Sequence, residues 1–524
     1  MSFFAGIIAA LQEFMITFAR RKQANMENQD TQNSQNFVDP NDIERIPNPW
    51  ISLIPLLVLV GMISLTITLF GSDALGGGSQ VSLFIATGVC VSLAMGIYRT
   101  PWTKIENAIK TTIGGTAVSI VILILIGMLS GIWMISGVVP TLIYYGVQIM
   151  SPQFFLISTC IICAIVSVMT GSSWTTIATI GIALLGIGEA LNVPVAWTAG
   201  AIISGAYFGD KISPLSDTTI LASTAADTEL FTHIRYMLYT TTPTMTITCV
   251  IFLISGFWFG GSNEIHIEEF TSGLAHTFNI SLWTLLVPVF TGILIIKKVP
   301  SLITLFASSL AAIVCALCLQ QNVLLEVAQE SVPNALHLIK GVMITCFTST
   351  NVETGNATLN DLVSTGGMQG MMDTIWLILC AMCFGGAMVS TGMLYSITSV
   401  IIRFIRNTFG LVAATVTTGI LLNIVTSDQY ISIIISASMY KDTYRKMGYE
   451  GRLLSRSTED SATVTSVLIP WNTCGMTQAT VLGVPTITYL PFCFFNYISP
   501  LMSCLVAATG YKIRKKTPSN LSKE

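Results

Sequence analysis

Charge is what this sequence has least of. Only 10% of its 524 residues are Asp, Glu, Lys or Arg, while 52% are hydrophobic. An ordinary soluble domain is roughly 25% charged, so a soluble protein of this size would lack the charge to cover its surface. Mean hydropathy is +0.72, and long apolar runs recur along the whole length. That is the composition of a polytopic helical membrane protein. Histidine is scarce as well. The four copies (His233, His266, His276, His337) are scattered near span ends. No HExxH, P-loop or GxGxxG unit occurs, so nothing suggests zinc hydrolysis, ATP or a nucleotide. A net charge of −3 with no basic face gives no sign of nucleic-acid binding. Cysteine is not scarce, and six of the twelve form three pairs at CxxC spacing: Cys160/Cys163, Cys315/Cys318 and Cys380/Cys383. All lie in apolar stretches with no His or Asp beside them. They read as small, soft packing residues rather than metal or redox sites.

A cleavable signal peptide is not expected. Residues 3–19 are apolar, but Arg20, Arg21 and Lys22 follow the run instead of preceding it. The run reads as an amphipathic or interfacial helix, and the polar residues 23–48 as a disordered linker. Fourteen candidate spans follow, from 52–71 to 485–508. A full crossing needs about 20 residues. The runs 174–190, 428–440 and the Pro-interrupted 195–220 are therefore the weak ones, and some of them read as half-helices. Residues 320–371 read as an amphipathic stretch holding a re-entrant segment. The basic clusters around Arg99, Arg235, Lys297, Arg403, Lys441–Arg456 and Lys512–Lys516 fall on one side when spans alternate. The positive-inside rule then puts both termini in the cytoplasm.

The two halves echo each other. "GIWMISG" (131–137) resembles "GAMVSTG" (386–392), 255 positions on. "TGSSWTT" (170–176) resembles "TSDQYIS" (426–432) at 256. Asp210 ahead of "ISPLSDT" pairs with Asp460 ahead of "SATVTSVLIPWNT" at 250. The expected organisation is a segment 1–48, a first transmembrane repeat 49–260, a second, inverted repeat 261–508, and a basic tail 509–524. The expected fold is all-α: an inverted-repeat secondary transporter with discontinuous helices.

Pro214 and Pro470 interrupt two spans and free backbone carbonyls. One Asp or Lys at a helix centre costs about 2.5 to 3.5 kcal/mol on insertion scales. The set Asp210, Lys211, Asp217, Asp428, Glu459 and Asp460 is therefore expensive unless functional. Thr170, Ser172, Ser173, Ser213, Ser216, Thr218, Thr465 and Asn472 cluster at the same breaks. Each could be a helix-packing residue or an oxygen ligand.

The blocks "GAYFGDKISPLSDTT" (205–219), "TGSSW" (170–174), "GIWMISGVVPTLIYYG" (131–146), "EDSATVTSVLIPWNTCG" (459–475) and "FFNYISP" (494–500) resemble the NhaC family of sodium/proton antiporters. The resemblance runs from about residue 50 to 508. It implies a multi-pass protein of the plasma membrane that exchanges Na⁺ for H⁺ without a cofactor. It also brings relatives similar to malate/lactate exchangers, and others that carry amino acids. The resulting expectation is that Asp210 and Asp460 hold Na⁺ when ionised and H⁺ when not, with hydroxyls and freed carbonyls completing the oxygen shell. The alternative is a Na⁺-coupled exchanger of small organic acids, with Lys211 as the free cation facing the substrate. The expected partners are Na⁺, H⁺ and the lipid bilayer, with small organic acids in the alternative reading and a homo-oligomer left open.

Overall fold

The computed structural model describes residues 46–70, 77–259, 264–297, 299–355, 357–403 and 405–513. The apolar run 3–19, nearly all of the linker and the tail from 514 lie outside the described residues. Among those described, nine helices are long and apolar enough to cross a membrane, or up to eleven if two bent pairs each count as one. Of the fourteen sequence spans, 195–220 and 457–482 are interrupted helices, 281–297 and 485–508 fall in the bent pairs, and 428–440 lies in a helix outside the nine.

α1 (Pro49–Phe70) and α2 (Gly78–Gly96) form an antiparallel pair, joined by Thr66–Ser82 (3.0 Å) at one end and by Asn48 N donating to the Tyr98 hydroxyl (3.0 Å) at the other. α3 (Trp102–Ile135) has 34 residues, about 50 Å at 1.5 Å per residue, which exceeds the hydrocarbon core. It stops at Gly137, whose φ of 78° is left-handed, and α4 (Val138–Ile149) turns away. α5 (Pro152–Thr170) and α6 (Ser173–Ala190) make a hairpin with its tip at Gly171–Ser172. α7 (Val195–Ile212) and α8 (Asp217–Ala225) are the halves of one broken helix, and α9 (Leu230–Trp258) runs back alongside.

α10 (Glu264–Thr277) opens the second half. Its part Phe270–Thr277 bends by 88° into Leu282–Ile296, which contains α11 (Leu286–Ile296). α12 (Ser301–Leu319) follows. Three short helices, α13 (Gln321–Ala328), α14 (Ala335–Phe347) and α15 (Ala357–Val363), occupy the stretch expected to be amphipathic. Then α16 (Met372–Ser390), a left-handed Gly392 (φ 72°) and α17 (Met393–Ile402) repeat the α3–α4 corner. α18 (Thr408–Thr426) and α19 (Gln429–Lys446) form a second hairpin. α20 (Gly451–Thr458) continues through a wide turn at Glu459–Thr463, breaks, and resumes as α21 (Thr473–Leu482). α22 (Thr486–Tyr489) and α23 (Phe494–Thr509) complete the bundle.

The hairpin tips show why these sequences turn. Ser172 N donates to the Thr170 hydroxyl (3.2 Å), the Ser172 hydroxyl caps α6 by accepting from Thr175 N (3.2 Å), and Thr176 donates to Ser172 O (2.9 Å). The second tip has the same bonds 256 positions on. Asp428 N donates to Thr426 (3.4 Å), Asp428 Oδ1 accepts from Ile431 N (3.0 Å), and Ser432 donates to Asp428 O (2.7 Å). Gly171 (φ 68°) and Ser427 (φ 58°) hold the left-handed corner in each.

Both broken helices stop for one reason. A proline disfavours helical backbone at the residue before it, and Ser213 before Pro214 and Ile469 before Pro470 are extended. Ser216 and Asn472 then cap the second halves, accepting from Thr219 N (3.4 Å) and Cys474 N (3.0 Å).

Contacts define two ends of the bundle. At one, Asp227 pairs with Lys441 (2.6 Å) and Arg445 (2.7 Å), Thr408 bonds Tyr449 (2.5 Å), and Tyr236 donates to Lys512 O (3.4 Å). This is the basic end, and the second hairpin opens there. At the other end, Gly188 lies against Phe155 and Thr198, and Gly256 against Gln153. The first hairpin opens there, at the opposite end of α9.

Candidate functional site

Asp210 is buried at the last turn of α7 and brackets two chain breaks. Its Oδ2 accepts from Ser173 N (3.1 Å) and Ser173 Oγ (2.7 Å), at the start of α6. Its Oδ1 accepts from Ser216 Oγ (2.6 Å), just before α8. Ser216 in turn shares a bond with Thr218 (2.9 Å). Charge-assisted bonds of this kind are the strong ones. One carboxylate thus ties the first hairpin tip to the first broken helix. Close packing helps: a Cβ at Gly205 or Gly209 would strike the backbone of α5.

Lys211, the next residue, points elsewhere, as consecutive helical positions do. It is fully buried and forms an ion pair with Asp460, in the wide turn after α20. Lys211 Nζ also donates to Ser499 Oγ (2.8 Å), and Asp460 Oδ1 accepts from Ser499 (3.2 Å) and Thr240 (3.3 Å). Thr240 and Ser499 sit within a turn of the helix-interior prolines Pro243 and Pro500. Arg456 lies one turn before Asp460. It is fully buried, and its Nε is 4.0 Å from Asp460 Oδ2. Its guanidinium carbon sits 4.7 Å from the Tyr236 ring centre. None of its three nitrogens has a hydrogen-bond partner among the described residues. Ser455 bonds His233 Nδ1 (2.7 Å) beside it.

Glu459, adjacent to Asp460, is fully buried, and neither of its oxygens receives a hydrogen bond among the described residues. Thr463 and Thr218 flank it without donating in hydrogen-bond geometry, and it lies within the fields of Asp210 and Lys211. At the second tip, Asp428 Oδ2 accepts from Thr473 (3.3 Å), and Asn472 donates to Asn423 O (3.1 Å). Asn423 also donates to Thr465 (3.0 Å).

The residues expected from the sequence therefore divide into groups. Asp210, Ser173, Ser216 and Thr218 are joined at the first break, with Glu459 beside Thr218. Lys211 and Asp460 form a second group, while Asp428, Thr465 and Asn472 belong to the second tip. Thr170 and Ser172 are engaged within the first tip, and Ser213 donates to Val168 O (2.8 Å). Asp217 is exposed in the first turn of α8, where an acid suits the helix dipole. Asp210 and Asp460, expected to share one ion, have separate partners. Their 250-position spacing is also out of register with the tips and prolines. At 256, Asp210 corresponds to Ser466, which faces Gln429 (3.4 Å) as Asp210 faces Ser173. Arg456, read from sequence as part of a basic surface cluster, is buried. Its spacing of four from Asp460 was the available signal. Ser499 and Thr463 lie in blocks that carry the family resemblance but do not stand out within them, and Thr240 and His233 gave no signal.

Among the described residues no three His, Cys, Asp or Glu side chains converge as in a resident-metal site. A cation held here would draw much of its shell from hydroxyl and carbonyl oxygens, which suits a hard ion. A separate groove of about 270 Å³ between α5 and α9, lined by Ile157, Met245, Thr246, Cys249, Val250 and Leu253, is apolar and remote from these charges.

A family model described as "Na+/H+ antiporter family" matches residues 1–229 and 205–511. The Na⁺/H⁺ antiporter NhaC of Alkalihalophilus pseudofirmus is 37% identical over 83% of this chain and 92% of its own. The malate-2H⁺/Na⁺-lactate antiporter of Bacillus subtilis is 35% identical over 82% of this chain and 89% of its own. Among solved structures, the YdaH transporter of Alcanivorax borkumensis covers 89% of this chain and 99% of its own, at 13% identity and a TM-score of 0.36. That likeness is too slight to carry structural argument.

Proposed function

We propose, for a chain that belongs to the Na⁺/H⁺ antiporter family, that its exchange of Na⁺ for H⁺ runs through the buried charges where α7 meets the wide turn after α20. The observation that carries this is the adjacency of two pairs. Asp210 and Lys211 are consecutive on α7, and Glu459 and Asp460 are consecutive on the turn. Lys211 and Asp460 lock the two segments together. That leaves Asp210 and Glu459 as carboxylates flanking a set of hydroxyls. A carboxylate that carries either Na⁺ or H⁺, in a site that opens alternately to the two sides, exchanges the ions without ATP.

The two hairpins, opening at opposite ends of α9, support an inverted repeat as the frame for alternating access. The repeat boundaries near residues 49–260 and 261–508 follow that reading. The basic end then faces the cytoplasm and the membrane is the plasma membrane. The test is exchange in proteoliposomes carrying an internal pH dye. An imposed Na⁺ gradient should move protons saturably with Na⁺ concentration, and no Na⁺-dependent signal would refute the reading.

A second reading has one observation in its favour. Lys211, the cation expected to meet an organic acid, is taken by Asp460. Arg456, however, has five N–H donors on buried nitrogens and no hydrogen-bonded acceptor among the described residues, and a guanidinium matches a carboxylate in a fork. Uptake of labelled malate or lactate driven by a Na⁺ gradient would favour it.

A further inference from the structure

We infer that Glu459, and not Asp210, is the carboxylate that directly holds the transported Na⁺. The inference rests on the Na⁺ exchange proposed above and names its ligand. Both carboxylates are buried, but they differ in what they already bind. Asp210 accepts three hydrogen bonds, between 2.6 and 3.1 Å, from Ser173 and Ser216. To coordinate a cation fully it would have to release the donors that join the hairpin tip to the break. Glu459 has nothing to release. Among the described residues both its buried oxygens lack a hydrogen-bond donor, and the buried Thr463 hydroxyl four residues on has no hydrogen-bond partner. Neither nearby cation hydrogen-bonds Glu459: Lys211 is taken by Asp460 and Ser499, and Arg456 lies over Tyr236 with its Nε 4.0 Å from Asp460.

A buried carboxylate without a partner is costly by several kcal/mol. A cation seated against Glu459, with Thr463 and Thr218 as hydroxyl ligands, removes that cost. The local sequence explains the orientation. Glu459 and Asp460 are consecutive, so they point about 100° apart. Asp460 is turned to Lys211, which leaves Glu459 turned towards Thr218 and the field of Asp210. Asp210 then holds the first tip and break in place beside the ion, and its charge adds to the attraction at longer range.

The test uses the full chain purified in detergent. Its melting temperature is followed against NaCl, with choline chloride keeping ionic strength constant. Wild type should be stabilised saturably by Na⁺. At a pH high enough to ionise Glu459, Glu459→Gln should melt higher than wild type without Na⁺, because the unpaired charge is gone, and it should show no Na⁺ increment. Glu459→Asp should keep the increment at an apparent affinity about tenfold weaker. Thr463→Ala should weaken it by about three- to tenfold, with Thr463→Ser restoring it. Asp210→Asn should melt lower without Na⁺ yet retain an increment. A wild-type Na⁺ increment in Glu459→Gln overturns the inference and leaves the exchange reading standing. If Glu459→Gln does not fold, an unchanged Na⁺ response in Thr463→Ala overturns it instead. No increment in wild type would refute both.

Discussion

Lys211 is the residue on which the buried electrostatics turn. It is the hydrogen-bonded cation of Asp460, and no solvent reaches either side chain. Removing one partner from such a pair typically costs about 3–5 kcal/mol, whereas removing both is far cheaper. Lys211→Gln should therefore sharply lower the melting temperature of the purified protein, and Lys211→Gln with Asp460→Asn should recover most of it. Equal losses in the single and double variants would mean that the pair contributes little. Arg456, 4.0 Å from the other Asp460 oxygen, can take over part of the compensation. Arg456→Gln combined with Lys211→Gln should accordingly be worse than the two single losses added together, as coupled neighbours are. The sequence made Lys211 conspicuous, since a lysine inside an apolar run needs a reason. Its partner lies 249 residues away, and no local pattern encodes that distance. Arg456 was hidden differently. It follows Lys441, Arg445, Lys446 and Arg452, all with accessible side chains, and only the facing direction of α20 separates it from them.

At the scale of elements, the two hairpin tips are the same device with one substitution. Gly171 and Ser427 both hold a left-handed corner, but a Cβ at Gly171 would run into the backbone and side chain of Leu215. A left-handed non-glycine residue costs about 1–2 kcal/mol before any clash. Gly171→Val should therefore abolish exchange in proteoliposomes and lower the yield of folded protein. Ser427→Gly relieves a left-handed corner and should keep the fold. A folded, exchanging Gly171→Val would show that the first tip does not need its close approach to the break. Much at this scale was legible in advance. Pro214 and Pro470 end helices for a reason that depends only on the neighbouring residue, and "TGSS" and "TSDQ" carry capping hydroxyls or a capping carboxylate at matching places. The register was legible only where backbone geometry enforces it. Tips, corners and prolines keep 255 or 256 positions. The Asp210–Asp460 match at 250 rested on charge alone, and charge at a site need not be duplicated with the backbone. The weak runs 174–190 and 428–440 are arms of the two hairpins, Ser173–Ala190 and Gln429–Lys446, and an arm that turns back and an arm that crosses have the same apolar pattern.

For the whole molecule, the decisive feature is that the hairpins enter from opposite ends. The first opens where Phe155, Gly188, Thr198 and Gly256 gather, and the second where Thr408 meets Tyr449 beside Asp227, Lys441 and Arg445. If the bundle spans the membrane with its basic end in the cytoplasm, a polar reagent outside the cell can reach only the first opening. Ser151 and Asn192 mark that opening, Asn407 and Lys446 mark the other, and all four are exposed. Each can be changed singly to cysteine in a chain whose native cysteines have been replaced, provided the variant still exchanges Na⁺ for H⁺. A membrane-impermeant maleimide added to intact cells should label Ser151→Cys and Asn192→Cys. It should label Asn407→Cys and Lys446→Cys only after the membrane is opened. Labelling of all four from one side would place both hairpins on the same face. The tips could not then approach the buried charges from opposite sides, and alternating access through a pair of inverted hairpins would have to be given up. The reverse pattern, with Asn407→Cys and Lys446→Cys reached from outside, would keep the hairpin geometry and invert the orientation. The basic end would then face outward, against the rule that lysine and arginine stay in the cytoplasm.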